Sequence, residues 1–287
     1  MSAAATDTHA AAPIRARRVM PGLTLSLGTT LLYMVLIVLI PIAALILKGA
    51  AIGPERFLQI VTSPRALAAF RVSLTAAAIA TAVNALYGLL MAWVLVRYDF
   101  PGRRLLDALM DIPFALPTAV AGLSLTALFS ANGWFGPLLD AAGVQVVYTI
   151  AGVSLAMAFT SIPFVVRTVQ PVLEDLDPTL EQAAVTLGAR PWTIFARVVF
   201  PAILPAWLAG GTMAFARSLG EFGAIVFIAG NLPFKTEVAS LLAFIRLEEY
   251  DYNGAAAIAL VLLGMALVLL VASNLLQARA ARHREGG

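Results

Sequence analysis

An all-α bundle embedded in a membrane is the fold class that this 287-residue chain predicts. Three observations carry it. Apolar residues make up 61% of the chain and charged residues only 12%, and a water-soluble domain of this size has no interior large enough to hide that surface. The apolar residues are gathered into uncharged runs of membrane-crossing length. The cations are unevenly shared between the segments that join these runs.

Residues 1–21 are rich in Ala and Thr and carry Arg15, Arg17 and Arg18; they are expected to form a disordered cytoplasmic tail. The apolar run 23–47 has 25 residues. It exceeds the ~7–15 of a signal-peptide core, so it is expected to stay as a first helix. Further uncharged runs cover 72–96, 112–130, 144–166 and 254–278, each long enough to cross a hydrocarbon layer of ~30 Å. A sixth, 198–229, is interrupted only by Arg217 and Glu221. The expectation is six helices in one transmembrane domain, residues 22–278, with 279–287 as a second cytoplasmic tail.

Arginine and lysine placement sets the orientation. With both termini inside, the cytoplasmic segments hold twelve cations and the outer ones six. This arrangement places the segment 167–200 in the cytoplasm. The net charge of +3 then reads as a topology signal, with the bilayer and not nucleic acid as the partner.

Missing residues narrow the chemistry. The two lysines, Lys48 and Lys235, follow no glycine-rich phosphate loop, so the chain carries no ATP cradle of its own. His9 and His283 lie in the tails and there is no cysteine. No metal site, cofactor or catalytic residue is expected.

Between the fourth and fifth runs lies a patterned polar stretch. Asp177 suits a helix cap, Pro178 the first turn, Gly188 a helix stop and Pro191 a second start. Leu176, Leu180, Ala183, Ala184 and Leu187 follow helical spacing and form an apolar stripe. Its two alanines leave room for a partner surface, whereas an amphipathic linker lying on the bilayer is the simpler alternative.

Within the membrane, Arg217 and Glu221 are spaced to meet on one helical face. Either the pair presents a cation to a passing oxyanion, or it is a permanent ion pair. Gly220 and Gly223 permit close packing or unwinding. Pro113 and Pro117 should kink or break the third span; the freed carbonyls and Thr118 then line a solute path, unless the prolines serve packing alone. Outside, Lys235, Glu237, Arg246 and Glu248, with Tyr250 and Tyr252, suit a wet protein–protein surface or a solvated loop.

Residues 177–201 resemble the EAA loop of ABC importer permeases, whose pattern is E-A-A, three residues, Gly, nine residues, I-x-L-P. Ala183, Ala184 and Gly188 match. Val198, Phe200 and Pro201 fall on the Ile, Leu and Pro positions. Gln182 replaces the leading acid, with Glu181 one place earlier. The segments 111–123, 132–134, 217–224 and 229–231 look like the sulfate and molybdate branch of these permeases. The segments 233–237 and 245–252 are similar to T-type permeases of sulfate/thiosulfate importers, and the likeness covers roughly 23–277.

The resemblance implies a six-helix type I importer permease in the bacterial inner membrane, with a cytoplasmic coupling helix. It implies a W-type permease as partner, two copies of a cytoplasmic ATPase, and a periplasmic sulfate/thiosulfate-binding protein. Glu181, Gln182, Ala183, Ala184, Gly188 and Pro201 would couple to the ATPase, and transport would proceed by alternating access. Three rivals stand beside it: a molybdate or tungstate permease of the same superfamily, an ion-coupled transporter using Arg217 and Glu221 as a proton relay, and an intramembrane enzyme. No inverted repeat favours the second, and no nucleophile–base pair the third.

Single cysteines introduced at Asn132 and Glu248 are expected to react with an impermeant thiol reagent from outside, and one at Ala189 only from inside. Labelling of position 189 from outside would sink the cytoplasmic placement of the loop.

Overall fold

The computed structural model describes residues 23–285; the expected tail at 1–21 lies outside them. Among the described residues every regular element is helical. The chain divides into two units, with the first ending at Leu47. It comprises α1 (Leu23–Met34), a π-helical turn at Val35–Leu39, and α2 (Ile40–Ala50), which continues just past the boundary. Its apolar side chains are exposed along its length, so in a bilayer lipid or another protein must solvate them.

The second unit begins with α3 (Pro54–Val61) and α4 (Pro64–Arg97), followed by α5 (Arg103–Leu109), α6 (Ile112–Ala115), α7 (Thr118–Phe129) and α8 (Gly136–Ala141). Then come α9 (Ile150–Glu174), α10 (Pro178–Thr186), α11 (Pro191–Ile194), a π-helical turn at Phe195–Val199, and α12 (Phe200–Leu219). Last are α13 (Gly223–Ile228), α14 (Ala239–Glu248) and α15 (Tyr252–Glu285).

Among the described residues five helical stretches are long and apolar enough to cross a membrane, and the sixth expected span is a pair bent by 113°, Arg103–Ala115 with Thr118–Phe129. Six spans therefore hold when the bent pair counts as one. The bounds shift for local reasons. Ser63 Oγ accepts the Ala66 N–H and Pro64 fills the first turn, so α4 starts eight residues before the uncharged run and includes Arg65 and Arg71. Residues 144–148 stay out of α9 because Tyr148 has φ 63° and donates its N–H to the Ile228 carbonyl at 2.8 Å. The segment 279–285, expected as part of a tail, continues α15 as helix.

Both π-helical turns precede a residue followed by proline, Ile40-Pro41 and Phe200-Pro201. Proline lacks the N–H for a regular helical bond and its ring crowds the carbonyl four residues back. The backbone widens instead, with the Phe200 N–H reaching the Phe195 carbonyl.

The core of the second unit is α4, α9 and α12 packed through small residues. Ala76, Ala77 and Ala80 of α4 are fully buried with Val153 and Met157 of α9. Gly88 sits against Val165, and Gly210 against the backbone of Val165. Lipid tails are as apolar as leucine, so such association rests on close backbone approach and interhelical hydrogen bonds. Asn84 supplies the latter, its Nδ2 donating to the Ala158 carbonyl (3.0 Å) and Ser161 Oγ (2.8 Å), while Ser161 and Ser218 share a bond of 3.1 Å.

Gly122 is a sharper case: a Cβ there would collide with the backbone of Ala224. Gly122→Ala is expected to destabilise the solubilised protein by about 1–3 kcal/mol. Gly211→Ala, where a Cβ meets only Thr81 Cγ2 at 4.0 Å, should be neutral or slightly stabilising by helix propensity. Equal thermal midpoints for the two variants would contradict the close contact.

Candidate functional site

The third span breaks where its second proline falls. Leu116, forced out of helical geometry by the following ring, takes φ −80° and ψ 134°. Pro117 then starts α7 as its cap, and its carbonyl accepts from Val120 and Ala121. Thr118 is half-buried at the new helix start, and Pro117 is exposed. Pro113 is buried in the short α6, so its ring does not face an open path in this structure.

The 198–229 run also breaks, at the glycines that permit unwinding, so the two charges do not lie on one continuous helix. α12 ends at Leu219 and Gly220–Phe222 are not helical. Arg217 and Glu221 still meet, at 2.7 Å, across the helix end. Glu221 is 1% exposed and holds the break together. Its Oε1 accepts the Ala224 N–H at 3.0 Å, supplying an acceptor at the start of α13, and its carbonyl accepts from Ser240 Oγ at 2.7 Å. The Arg217 side chain keeps 34% of its surface exposed.

The two breaks adjoin. Gly223 lies against Thr118, and Gly122 against Ala224, so glycine on each side lets the interrupted spans cross with backbones nearly touching. A cleft of about 460 Å³ runs beside them, lined by Ala119, Phe222, Gly223, Asn231, Phe244 and Glu248. It joins the broken spans to the segment that follows α13.

That segment is more structured than a loop. Thr236 Oγ donates to the Ala229 carbonyl at 2.6 Å and accepts the Leu232 N–H at 3.2 Å, and α14 buries Ala239, Leu241 and Leu242. Of the four residues expected on a protein-docking surface, Lys235 and Glu248 are exposed, while Arg246 lies near Glu249 (3.7 Å) and Asp251 (3.5 Å). Glu237 is not at the surface. It is 1% exposed and receives a two-pronged ion pair from Arg65, at 2.9 and 2.6 Å, because a carboxylate buried there needs a matched cation.

The polar stretch between α9 and α12 folds as its residues dictate. The Asp177 carboxylate accepts the Thr179 N–H at 2.9 Å, and Pro178 opens α10. That backbone bond, reinforced by the Thr179 side chain, holds the Asp177 carboxyl below its ordinary value. The cap is therefore present above the ordinary carboxylate range and is lost as pH falls through the lowered value. Gly188, at φ 79°, donates to the Val185 carbonyl and Ala189 to that of Ala184, closing the helix.

The apolar stripe divides in two. Leu176, Ala184 and Ala189 pack on the bundle. Leu180, Gln182, Ala183, Val185 and Leu187 face outward, joined by Trp192. Glu181 does not: it pairs with Arg97 at the end of α4, whose guanidinium also stacks over Trp93. Phe195 contacts Trp93, Trp192 and Phe200, tying α11 and the π-helical turn before Pro201 to α4.

Sequence reasoning missed three things. Asn84 joins helices far apart in the chain, Ser240 supports the break from α14, and Arg167 grips Asp107 and Asp111. An arginine and two carboxylates at the ends of apolar runs were a visible signal for the last. The other two partnerships depend on how the bundle packs.

Interrupted membrane helices meeting beside a cleft, above a capped helix with an apolar outer face, define the membrane subunit of a transporter. The chain belongs to the family of binding-protein-dependent transport system inner membrane components, whose model matches residues 84–285. It is 55% identical over 273 residues to the sulfate transport system permease protein CysT of Escherichia coli (strain K12), covering 95% of this chain and 99% of that protein. It is 47% identical over 254 residues to the protein of the same description from Synechocystis sp., covering 88% and 89%. Its fold is similar to a chain of a bacterial ABC transporter involved in the import of the acidic polysaccharide alginate, with a TM-score of 0.74 at 18% identity over 90% of this chain and 95% of that one.

Proposed function

We propose that this chain is the T-type permease of an ATP-driven importer that carries sulfate or thiosulfate across the inner membrane, with both termini in the cytoplasm. The observation that carries the reading is α10: a capped helix fixed to the bundle by Arg97–Glu181 yet presenting Leu180, Ala183 and Leu187 outward. Such a surface is costly to leave in water and suits a groove on a cytoplasmic ATPase, present in two copies. A W-type permease completes the pathway. A periplasmic binding protein delivers the anion to the face formed by Lys235, Arg246 and Glu248, while Glu237 supports that face from within. The full-length likeness to sulfate permeases supports the choice of substrate.

Alternating access needs an element with two arrangements, and the crossing of the broken spans at Thr118 and Gly223 supplies a candidate. Of the pair beside it, Glu221 serves structure and Arg217, whose side chain is part-exposed, serves the passing oxyanion. The permease itself forms no covalent bond; ATP hydrolysis on the partner supplies the free energy.

Uptake of radiolabelled sulfate by the reconstituted complex tests the reading. It should require ATP, persist in the presence of an uncoupler, and be inhibited by thiosulfate. Uptake of molybdate with exclusion of sulfate would assign the chain to the rival oxyanion class.

Replacing Gly188 by Val puts a β-branched residue at φ 79°, a cost of about 1–2 kcal/mol localised at the end of α10. Normal insertion, weak ATPase association and little uptake are expected. Wild-type ATPase stimulation together with wild-type uptake would remove α10 from the coupling role.

The double variant Arg217→Met, Glu221→Gln separates the two roles of the ion pair, because glutamine keeps an acceptor for the Ala224 N–H and no charge is stranded. It should assemble, with sulfate uptake per assembled complex reduced about tenfold or more by loss of a charged hydrogen bond. Full recovery of uptake would assign the pair to structure alone.

A further inference from the structure

Several links lead from α10 into the bundle. Ala184 packs on the bundle, and Glu181 pairs with Arg97 of α4. Residues 187–190 join α10 to α11, and residues 175–177 are all that separate it from α9. Along α9, Phe164, Arg167 and Gln170 recur every third residue and so lie near one another on its surface. All three engage the α5–α6 region or its anchor. Phe164 meets Phe114 edge-on at 5.3 Å.

Arg167 does most of the holding. Nε and Nη2 donate to the two oxygens of Asp111 at 2.8 and 2.7 Å. Nη1 donates to Asp107 Oδ1 at 2.6 Å and to Gln170 Oε1 at 2.8 Å, and Nη2 to the Asp107 carbonyl at 2.8 Å. These are five acceptors for the five N–H donors that a guanidinium has. Its planar fork therefore fixes the orientation of what it binds, which an ammonium does not. Asp107 is on α5, and Asp111 directly precedes α6, the four-residue helix that ends at the Leu116–Pro117 break. The clamp thus sits one helical turn from the break on one side and on the helix that leads directly into α10 on the other.

We propose that Arg167 is a positioning residue that makes α5–α6 a rigid outgrowth of α9. A displacement of α10 then reaches the break, and with it Thr118, through α9 and this clamp. The proposal rests on the reading of α10 as the ATPase-coupling element. It adds the route, which the sequence motif does not contain.

This sequence lacks cysteine, so it contributes no thiols but the introduced ones, and the cysteines of the other subunits are replaced before the test. ATP hydrolysis and sulfate uptake are measured on the same reconstituted complex, with the sulfate-loaded binding protein present. For Arg167→Gln, ATP hydrolysis should stay within about twofold of wild type while sulfate moved per ATP falls about tenfold, with Arg167→Lys in between. Arg167→Cys with Asp111→Cys should show the same low ratio, recover it when a cleavable bis-thiol cross-linker joins the two positions, and lose it again on cleavage.

An unchanged ratio in Arg167→Gln overturns the proposal. So do a parallel fall of hydrolysis and uptake, and a cross-link that forms without restoring the ratio. Should Arg167→Gln fail to assemble, Asp111→Asn removes the charge from one arm and faces the same criteria. A wild-type complex that carries a different oxyanion has its ratio measured on that anion. Wild-type uptake without the ATPase defeats the reading of α10 and the clamp with it, whereas the outcomes above defeat the clamp alone.

Discussion

Glu221 is the group on which the interrupted architecture depends. In hydrocarbon, no water is available to the backbone groups that a broken helix releases, and each one left bare costs several kcal/mol, on the order of a lost hydrogen bond in oil. One buried carboxylate meets several of these needs. It accepts the Ala224 N–H and contacts Arg217, while the carbonyl of the same residue is taken by Ser240 Oγ. Without it, α12 and α13 would have to merge into one helix or draw water into the bundle. The glycines at 122 and 223 then let the second interrupted span lie directly against the first.

Ion pairs also organise the ends of the bundle, with Glu237 fully buried and the others part-exposed. Arg65 is matched to Glu237, Arg97 to Glu181, and Arg167 to Asp107 and Asp111. Each pair joins segments that are distant in sequence, and each removes a carboxylate from any role that needs it free. A resemblance in sequence marks the neighbourhood of Glu181 and Glu237. The pairing decides that their carboxylates face inward, leaving Gln182, Ala183 and Leu187 beside the one, and Lys235 beside the other, at the surface.

Under the proposed function, the two ends of the molecule have different mechanical characters. The α10 segment is a short helix locked by a complete set of caps, suited to move as a body. The crossing of α7 and α13 is held by close small-residue contacts and the packing of Leu125 on Ala224 and Ile228, suited to rearrange. α9 runs between these regions as one helix of 25 residues, with Pro163 and Pro171 inside it, so a displacement at one end has a continuous helical path toward the other.

What the sequence determined by itself was whatever depends on composition, local backbone chemistry or short-range pattern. The membrane class followed from apolar content. The start and stop of α10 followed from Asp177, Pro178 and Gly188, and the broken third span from Pro117, because a proline ring constrains its own turn and the residue before it wherever it sits. Tertiary structure decided the rest. Nothing local required the Arg217–Glu221 run to unwind at Gly220, since an i, i+4 pair is equally at home on an intact helix. The break became affordable only where Ser240 of α14 and the backbone of α7 arrived to receive it. The burial of Glu237, the turning of Glu181 toward Arg97, and the five-fold grip of Arg167 are likewise long-range matches. A charged side chain in a low-dielectric bundle takes the orientation its partner permits, and partners that lie on distant segments are chosen by packing, which residue spacing does not encode.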